Sequence, residues 1–275
     1  MICAWNELLA ILPHRLRQSV DVLGKNNAQE IRLRLDKIPV LHLGQKRITL
    51  EKSVTQDELN FVVNTASRYS PWASASTASG YITAPGGHRI GLGGEAVIKD
   101  GQMAGFRSIR SVNIRVARDF PGVAAKIANI PGNLLIIGRP GSGKTTLLRD
   151  LIRQRSFHET VSVVDERCEL FPQGMDTGAS VDILTGCSKQ QGIDAVLRTM
   201  GPDTIAVDEI TAIADCDAMV YAGWCGVRLI ATVHGAGMND LYTRKVYKPL
   251  LETGLFDHLV TVHPNKSYTS ERMKR

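Results

Sequence analysis

A glycine-rich segment, GRPGSGKTT at residues 138–146, has the spacing of a loop that binds phosphate groups. It fits the Walker A pattern G-x-x-x-x-G-K-[ST], in which glycines let backbone N–H groups curl around phosphates. An apolar run precedes the segment and a helix-forming run follows it, so the dipole of the helix N-terminus would also favour an anion. The residues predicted to bind a nucleotide are Gly138, Arg139, Pro140, Gly141, Ser142, Gly143, Lys144, Thr145 and Thr146.

Two side chains of this loop and two later carboxylates predict the chemistry. Lys144 can reach the β- and γ-phosphates, and Thr145 can ligate Mg²⁺. The run TIAVDEI ends in Asp208 and Glu209, where an Mg²⁺ ligand acting through water and a water-polarising carboxylate would lie. We therefore predict metal ligation by Thr145 and Asp208. The carboxylate pair favours hydrolysis over transfer to a small acceptor.

Two further apolar runs end in polar residues. VSVVDERCEL carries Asp165, Glu166 and Arg167, and RLIATVHG carries Thr232 and His234. Each alone is explained as well by a helix cap, an ion pair or a buried histidine. Their predicted convergence on the edge that holds the phosphate loop favours a role in the site, since an imidazole can donate and accept at once.

The elements around these residues predict two domains. Beyond residue 124, amphipathic helices alternate with five apolar strands, NLLIIG, TVSVVDE, DTIAVDEI, VRLIATVH and HLVTV. This alternation predicts an α/β domain with a mainly parallel sheet and ligands at the carboxyl ends of its strands. The earlier part has period-two strands and a capping box, Thr55 and Glu58, which predict a smaller α+β domain. The break DFPGV separates the two patterns. We predict domains at 1–118 and 124–275, joined by a linker at 119–123.

Composition limits the class of protein. The 275 residues are 43% hydrophobic, enough for a sizeable core, and the net charge is +6. Residues 1–123 hold 16 Lys and Arg against 10 Asp and Glu, so the whole excess lies there and favours an acidic partner. No apolar run approaches the roughly 20 residues of a membrane span, no signal peptide is evident, and the five cysteines lack metal spacing. A cytoplasmic protein is expected.

The order of phosphate loop, two acidic strands and histidine strand resembles the secretion ATPases of type II and type IV systems. Within that superfamily the sequence is more similar to the stage III sporulation protein AA family. The strings that carry this resemblance are EIRLR (30–34), YITAPGGHRIGLGGEAV (81–97), NIRVAR (113–118), GRPGSGKTTLLRDLIR (138–153), VVDERCEL (163–170), GASVDILTGC (178–187), LRTMGPDTIAVDEI (197–210) and GVRLIATVHG (226–235).

The resemblance implies a RecA-like ATPase domain that uses ATP and Mg²⁺. It makes Asp165-Glu166 the counterpart of the acidic box and Asp208-Glu209 that of Walker B. It also implies roles for His234 and for Arg198. The superfamily usually has Glu-Asp and Gly-Glu at these two pairs. The principal catalytic carboxylate is therefore open among Glu209, Glu166 and Asp165, with Glu209 preferred and Glu166 second.

The resemblance also implies a homohexamer in which the N-terminal domain closes over the nucleotide. Arginines of that domain could then neutralise charge on the γ-phosphoryl group, and Arg110 and Arg115 are the preferred candidates. Ordinary strand-face arginines in ion pairs are the alternative. By resemblance the protein would be the motor of a channel between mother cell and forespore, cytoplasmic in the mother cell and peripherally docked on membrane proteins of that channel.

Two other functions fit parts of the sequence. A nucleic-acid-dependent ATPase would use the basic N-terminal part to grip phosphates, but that part lacks an aromatic platform for bases, and nucleic acid is not expected as a partner. A small-molecule kinase would need an arginine-rich lid after Glu209, where few arginines occur.

Overall fold

The structure is a computed structural model that describes residues 1–44, 46–68, 80–172 and 175–273. By compactness the chain divides into two units, Met1–Asp119 with Pro172–Met175 and Phe120–Phe171 with Asp176–Arg275. The domain limits predicted from the sequence, 1–118 and 124–275 with a linker at 119–123, stay a prediction.

The N-terminal unit contains a six-stranded sheet in the order β3-β2-β1-β6-β5-β4, and each neighbouring pair is antiparallel. Its helices are α1 (Trp5–Ala10), α2 (His14–Leu23) and α3 (Gln56–Ala66). Its strands are β1 (Glu30–Arg34), β2 (Val40–Leu43), β3 (Lys46–Thr49), β4 (Tyr81–Thr83), β5 (Arg89–Lys99) and β6 (Gln102–Arg115).

Local sequence explains these elements. The alternation of β1 buries Ile31 and Leu33 in the core of the unit and leaves the arginines between and after them on the other face. The predicted capping box is confirmed, because the Thr55 side chain accepts from the Glu58 N–H and Glu58 accepts from the Thr55 N–H. Strands β5 and β6 are joined at Asp100 and Gly101, whose φ angles of 51° and 76° suit a tight hairpin turn.

The second unit contains a seven-stranded sheet in the order β13-β12-β7-β11-β10-β8-β9. Every neighbouring pair is parallel except β12–β13. Its strands are β7 (Leu134–Gly138), β8 (Val161–Asp165), β9 (Val181–Thr185), β10 (Thr204–Val207), β11 (Arg228–His234), β12 (His258–Val262) and β13 (Tyr268–Arg272). Its helices are α4 (Lys144–Arg155), α5 (Lys189–Thr199), α6 (Ile213–Trp224), α7 (Met238–Thr243) and α8 (Lys248–Glu252).

The expectation of an α/β fold with a parallel-containing sheet is confirmed. The five apolar runs singled out in the sequence form β7, β8, β10, β11 and β12, and β7 is buried throughout. The carboxyl ends of β7, β11, β10 and β8 meet at one edge of the sheet. The predicted phosphate loop, acidic residues and His234 lie at or directly after these strand ends. Within the described ranges, no helix is long and apolar enough to cross a membrane.

Candidate nucleotide site

The phosphate loop turns directly from β7 into α4. Gly141 and Gly143 have φ angles of 72° and 106°, a left-handed conformation that glycine adopts without strain. A side chain at Gly138 would lie 2.5 Å from Ser142 Oγ, so the loop folds tightly against the strand end. Ser142 Oγ is buried and has no hydrogen-bond partner among the described residues, so this hydroxyl is available to a polar ligand in the loop.

A hydrogen-bonded chain runs from the phosphate loop to the carboxylate predicted as catalytic. Lys144 Nζ lies 3.0 Å from His234 Nδ1, and His234 Nε2 lies 2.7 Å from Glu209 Oε1. Because the ammonium group donates to Nδ1, Nε2 carries the ring proton and donates to the carboxylate. Burial lowers the pKa of Lys144, and the charges of Asp208 and Glu209 oppose that shift. The structure therefore brings Lys144, His234 and Glu209 together in one hydrogen-bonded chain.

The two predicted metal ligands also lie together. Thr145 Oγ1 donates to Asp208 Oδ2 at 2.9 Å, and Thr232 Oγ1 donates to Asp208 Oδ1 at 2.5 Å. Hydroxyl and carboxylate oxygens are ligands that suit Mg²⁺, which keeps several waters and takes further ligands from substrate phosphates. The pair Thr145 and Asp208 thus fits the predicted ion, and Thr232 fixes the carboxylate.

Asp165 stabilises the loop that follows β8, residues 165–170, here called the acidic loop. Its two oxygens accept the N–H groups of Glu169 and Leu170 at 3.0 and 2.8 Å. Burial raises the pKa of this carboxyl, and the backbone hydrogen bonds counter the rise. Arg149 of α4 donates to the carbonyls of the same two residues, which ties the loop to the helix that begins in the phosphate loop.

Glu166 is paired with a lysine from another element. Lys189, at the start of α5 and only 4% exposed, places Nζ 2.5 Å from Glu166 Oε2 and 3.9 Å from Asp215 Oδ2. The Lys189 ammonium therefore occupies one oxygen of the Glu166 carboxylate and ties the acidic loop to the start of α5.

Arg167 completes the surroundings of Glu209. Its guanidinium lies 3.0 Å from Glu209 Oε2, so both oxygens of that carboxylate accept hydrogen bonds. A cleft at this edge of the sheet is lined by Asp165, Glu166, Arg167, Glu169, Lys189, Asp208 and Glu209.

Of the three predicted arginines, Arg198 belongs to the unit that holds this cluster. Arg198, at the end of α5, pairs with Asp194 at 2.9 Å, and its side chain is largely exposed. Arg110 and Arg115 belong to β6 of the N-terminal unit and are exposed. Val112 and Ile114 are buried, as the strand alternation predicts. The roles of these arginines stay predictions.

The structure adds residues that sequence reasoning missed. Lys189 and Arg149 fix the acidic loop, and Lys266, in the turn between β12 and β13, hydrogen-bonds the Gly141 carbonyl across the phosphate loop. None of these three residues belongs to the phosphate-loop pattern or to an apolar run that ends in acid. Their positions depend on how distant segments meet.

The chain is similar to a described protein family and to solved structures. A family model described as "Sporulation stage III, protein AA" matches residues 4–271. The chain belongs to this family. The stage III sporulation protein AA of Bacillus subtilis strain 168 is 33% identical over 274 residues, which cover 92% of this chain and 89% of the relative. The resemblance seen in the sequence is therefore confirmed.

Solved structures with this fold include an ATPase and a pilus retraction motor. The ATPase DotB of Legionella pneumophila has a TM-score of 0.61 at 17% identity, with 95% of this chain and 80% of that chain covered. The pilus retraction motor PilT, solved with bound ADP, has a TM-score of 0.61 at 13% identity, with 89% and 76% covered. At these identities the likeness shows that this member of the protein AA family shares their fold.

Proposed function

We propose that the chain is an Mg²⁺-dependent ATPase that works as the hexameric motor of a secretion-like channel between mother cell and forespore during endospore formation. The observation that carries the ATPase proposal is the chain Lys144–His234–Glu209, which connects the phosphate loop to a carboxylate. The fold shared with DotB and PilT and membership of the sporulation family support the setting.

The residues of the second unit, a RecA-like domain in this proposal, divide the work. Backbone N–H groups of residues 138–146 and the Lys144 ammonium bind the triphosphate of ATP. Thr145 and, through water, Asp208 would hold Mg²⁺, which when bound neutralises phosphate charge. Glu209 orients and deprotonates the attacking water, and His234 holds Glu209 in place and links it to Lys144.

Lys144 donates to His234 Nδ1 and to the carbonyl of Arg139. A γ-phosphate would compete with His234 for the ammonium group, so nucleotide binding would alter the hydrogen bonding of Glu209. This competition offers a route by which the nucleotide state reaches the catalytic carboxylate.

The proposal assigns Arg110 and Arg115 to charge neutralisation at the γ-phosphoryl group in an assembled homohexamer. It places the protein in the mother-cell cytoplasm, docked peripherally on membrane proteins of the channel. The basic charge of the N-terminal unit and the resemblance support these assignments.

The test is ATP hydrolysis over a series of protein concentrations. The rate per protomer should rise with concentration, and Arg115→Ala should lose activity that mixing with Glu209→Gln partly restores, because each variant supplies what the other lacks. A rate per protomer independent of concentration would exclude the ring. Strong stimulation by nucleic acid with a salt-sensitive gel shift would favour the nucleic-acid-dependent ATPase instead.

A further inference from the structure

A groove of about 250 Å³ lies on the sheet of the N-terminal unit, on the face opposite its core. It crosses three neighbouring strands in register. Arg32 of β1 lies opposite Asn113 of β6, which lies opposite Gly91 of β5. One step along, Arg34, Ser111 and Gly93 form a second row. The proposed ATPase mechanism uses none of the six residues in these two rows.

Gly91 forms the floor of the groove, and local geometry does not require a glycine there. Its φ angle is outside the left-handed region, and a Cβ would meet only Asn113 atoms at 3.9 Å, an ordinary contact. The missing side chain instead leaves room on the open face of the sheet. A glycine in a strand interior is unfavourable unless something approaches the backbone closely.

The rim of the groove is strongly basic. Arg34 is exposed, and Arg32, which is partly exposed, pairs with Glu30. The next register row adds Arg115, opposite both Glu30 and Arg89. The guanidinium groups of Arg32, Arg34 and Arg115 thus lie near the single carboxylate of Glu30, and guanidinium groups bind carboxylates and phosphates through paired hydrogen bonds.

A buried acceptor distinguishes between anionic occupants. Asn113 Oδ1 is buried and has no hydrogen-bond partner among the residues that the structure describes, so an occupant that offers an N–H group would satisfy it. A peptide offers backbone N–H groups beside its acidic side chains, whereas the phosphate and deoxyribose groups of a DNA backbone carry no hydrogen-bond donor. We propose that this groove binds an acidic, extended segment of a protein partner.

The test is equilibrium binding of the full chain to a fluorescent peptide that alternates glutamate and glycine, with the glutamine version and oligothymidylate as competing probes. Wild type should bind the glutamate peptide at least about tenfold more tightly than either probe, since a single lost charged hydrogen bond costs about that factor. The double variant Arg32→Glu/Arg34→Glu should lose this preference. Its matched control, Arg47→Glu/Lys99→Glu, makes the same charge change outside the groove and should keep it.

Gly91→Val separates groove binding from general attraction to a basic surface. It fills the floor without changing any charge, and it should weaken binding about tenfold while urea unfolding shows an intact fold. Equal loss in both charge-reversed variants, unchanged binding in Gly91→Val, or preference for oligothymidylate would each overturn the proposal. ATP hydrolysis is not part of the measurement, so the outcome does not depend on the proposed ATPase.

Discussion

Glu209 has a backbone conformation that is costly for a glutamate. Its φ angle is 52°, in the left-handed region, which costs roughly 1–2 kcal/mol for residues with a Cβ. Its N–H donates to Thr232 Oγ1 at 2.8 Å, and its carboxylate is held by His234 and Arg167. Surroundings that fix a strained residue from both ends are typical of functional positions. The strain thus supports the choice of Glu209 among the three carboxylates.

The first prediction compares Glu209→Gln with Glu166→Gln, two substitutions of the same size and charge. Glu209→Gln should reduce phosphate release at saturating ATP by about 100-fold or more, the usual effect of removing a general base. Glu166→Gln should stay within about tenfold of wild type, because its carboxylate is occupied by Lys189. A larger loss in Glu166→Gln would move the catalytic role to the acidic loop.

The second prediction concerns His234. His234→Ala removes the donor to Glu209 and the acceptor of Lys144, so hydrolysis should fall by about 10- to 100-fold. Affinity for a fluorescent ADP analogue should change by less than about threefold, because the loop N–H groups that bind the phosphates are intact. Loss of both properties together would show that the histidine maintains the loop rather than the carboxylate.

At the scale of elements, the hairpin of β5 and β6 depends on a glycine at an irregularity in the pairing. Between Gly93 and Gly94 the register shifts, and Gly94 comes to oppose Ile109. A Cβ on Gly94 would overlap the Ser108 carbonyl, which is backbone and cannot rotate away. The position therefore excludes every residue with a side chain unless the strands move apart.

The third prediction follows from this contact. Gly94→Ala should lower the free energy of unfolding by about 1–3 kcal/mol, the range for overpacked sites. Gly91→Ala in the same strand is the matched control, since its Cβ makes only ordinary contacts, and it should change stability by less than about 1 kcal/mol. Urea unfolding of both variants provides the comparison. Equal effects would attribute the cost to glycine removal in general.

The strands that the sequence predicted in the second unit are all apolar. The five predicted strands of the second unit are apolar because both faces of a central parallel strand are covered. Strands β9 and β13 were not predicted, because they lie at the sheet edges and most of their side chains are exposed. Such strands carry no apolar run that could reveal them.

The site residues also divide into those that the sequence predicted and those that only their contacts reveal. Lys144, Thr145, Asp208 and Glu209 were predictable, because phosphate binding and metal ligation impose fixed residue types at strand ends. Lys189 reaches Glu166 only because α5 and the acidic loop meet in space. The choice among the acidic residues therefore required their contacts, which spacing along the chain does not contain.

At the scale of the whole molecule, His88 joins distant parts of the N-terminal unit. Its ring is fully buried, and it accepts from the Ala117 N–H at 3.1 Å through Nδ1 and donates to the Ala4 carbonyl at 2.8 Å through Nε2. Burial lowers the pKa of His88 below its ordinary value of 6.5. The neutral ring therefore links Ala4, 84 positions before it in the chain, to Ala117, 29 positions after it.

The fourth prediction is a loss of stability in acid. Since the unfolded chain binds the His88 proton more readily, the free energy of unfolding should fall as pH drops from about 6.5 through the lower pKa of the folded state. The full contribution should remain above pH 6.5. In His88→Gln, the urea midpoint should depend less steeply on pH over this range. The control His42→Gln, on β2, should retain the full pH dependence, and an unchanged slope in His88→Gln would contradict the prediction.

The two edge strands of the second unit that escape sequence reasoning have a consequence for behaviour in concentrated solution. Asp182 lies exposed on β9, and Glu271 and Arg272 lie exposed on β13. A bare, apolar edge would accept a strand from another copy and begin an aggregate, and charges at an edge oppose this. The same polarity that hides β9 and β13 from an apolar-run search opposes growth of this sheet beyond its own chain.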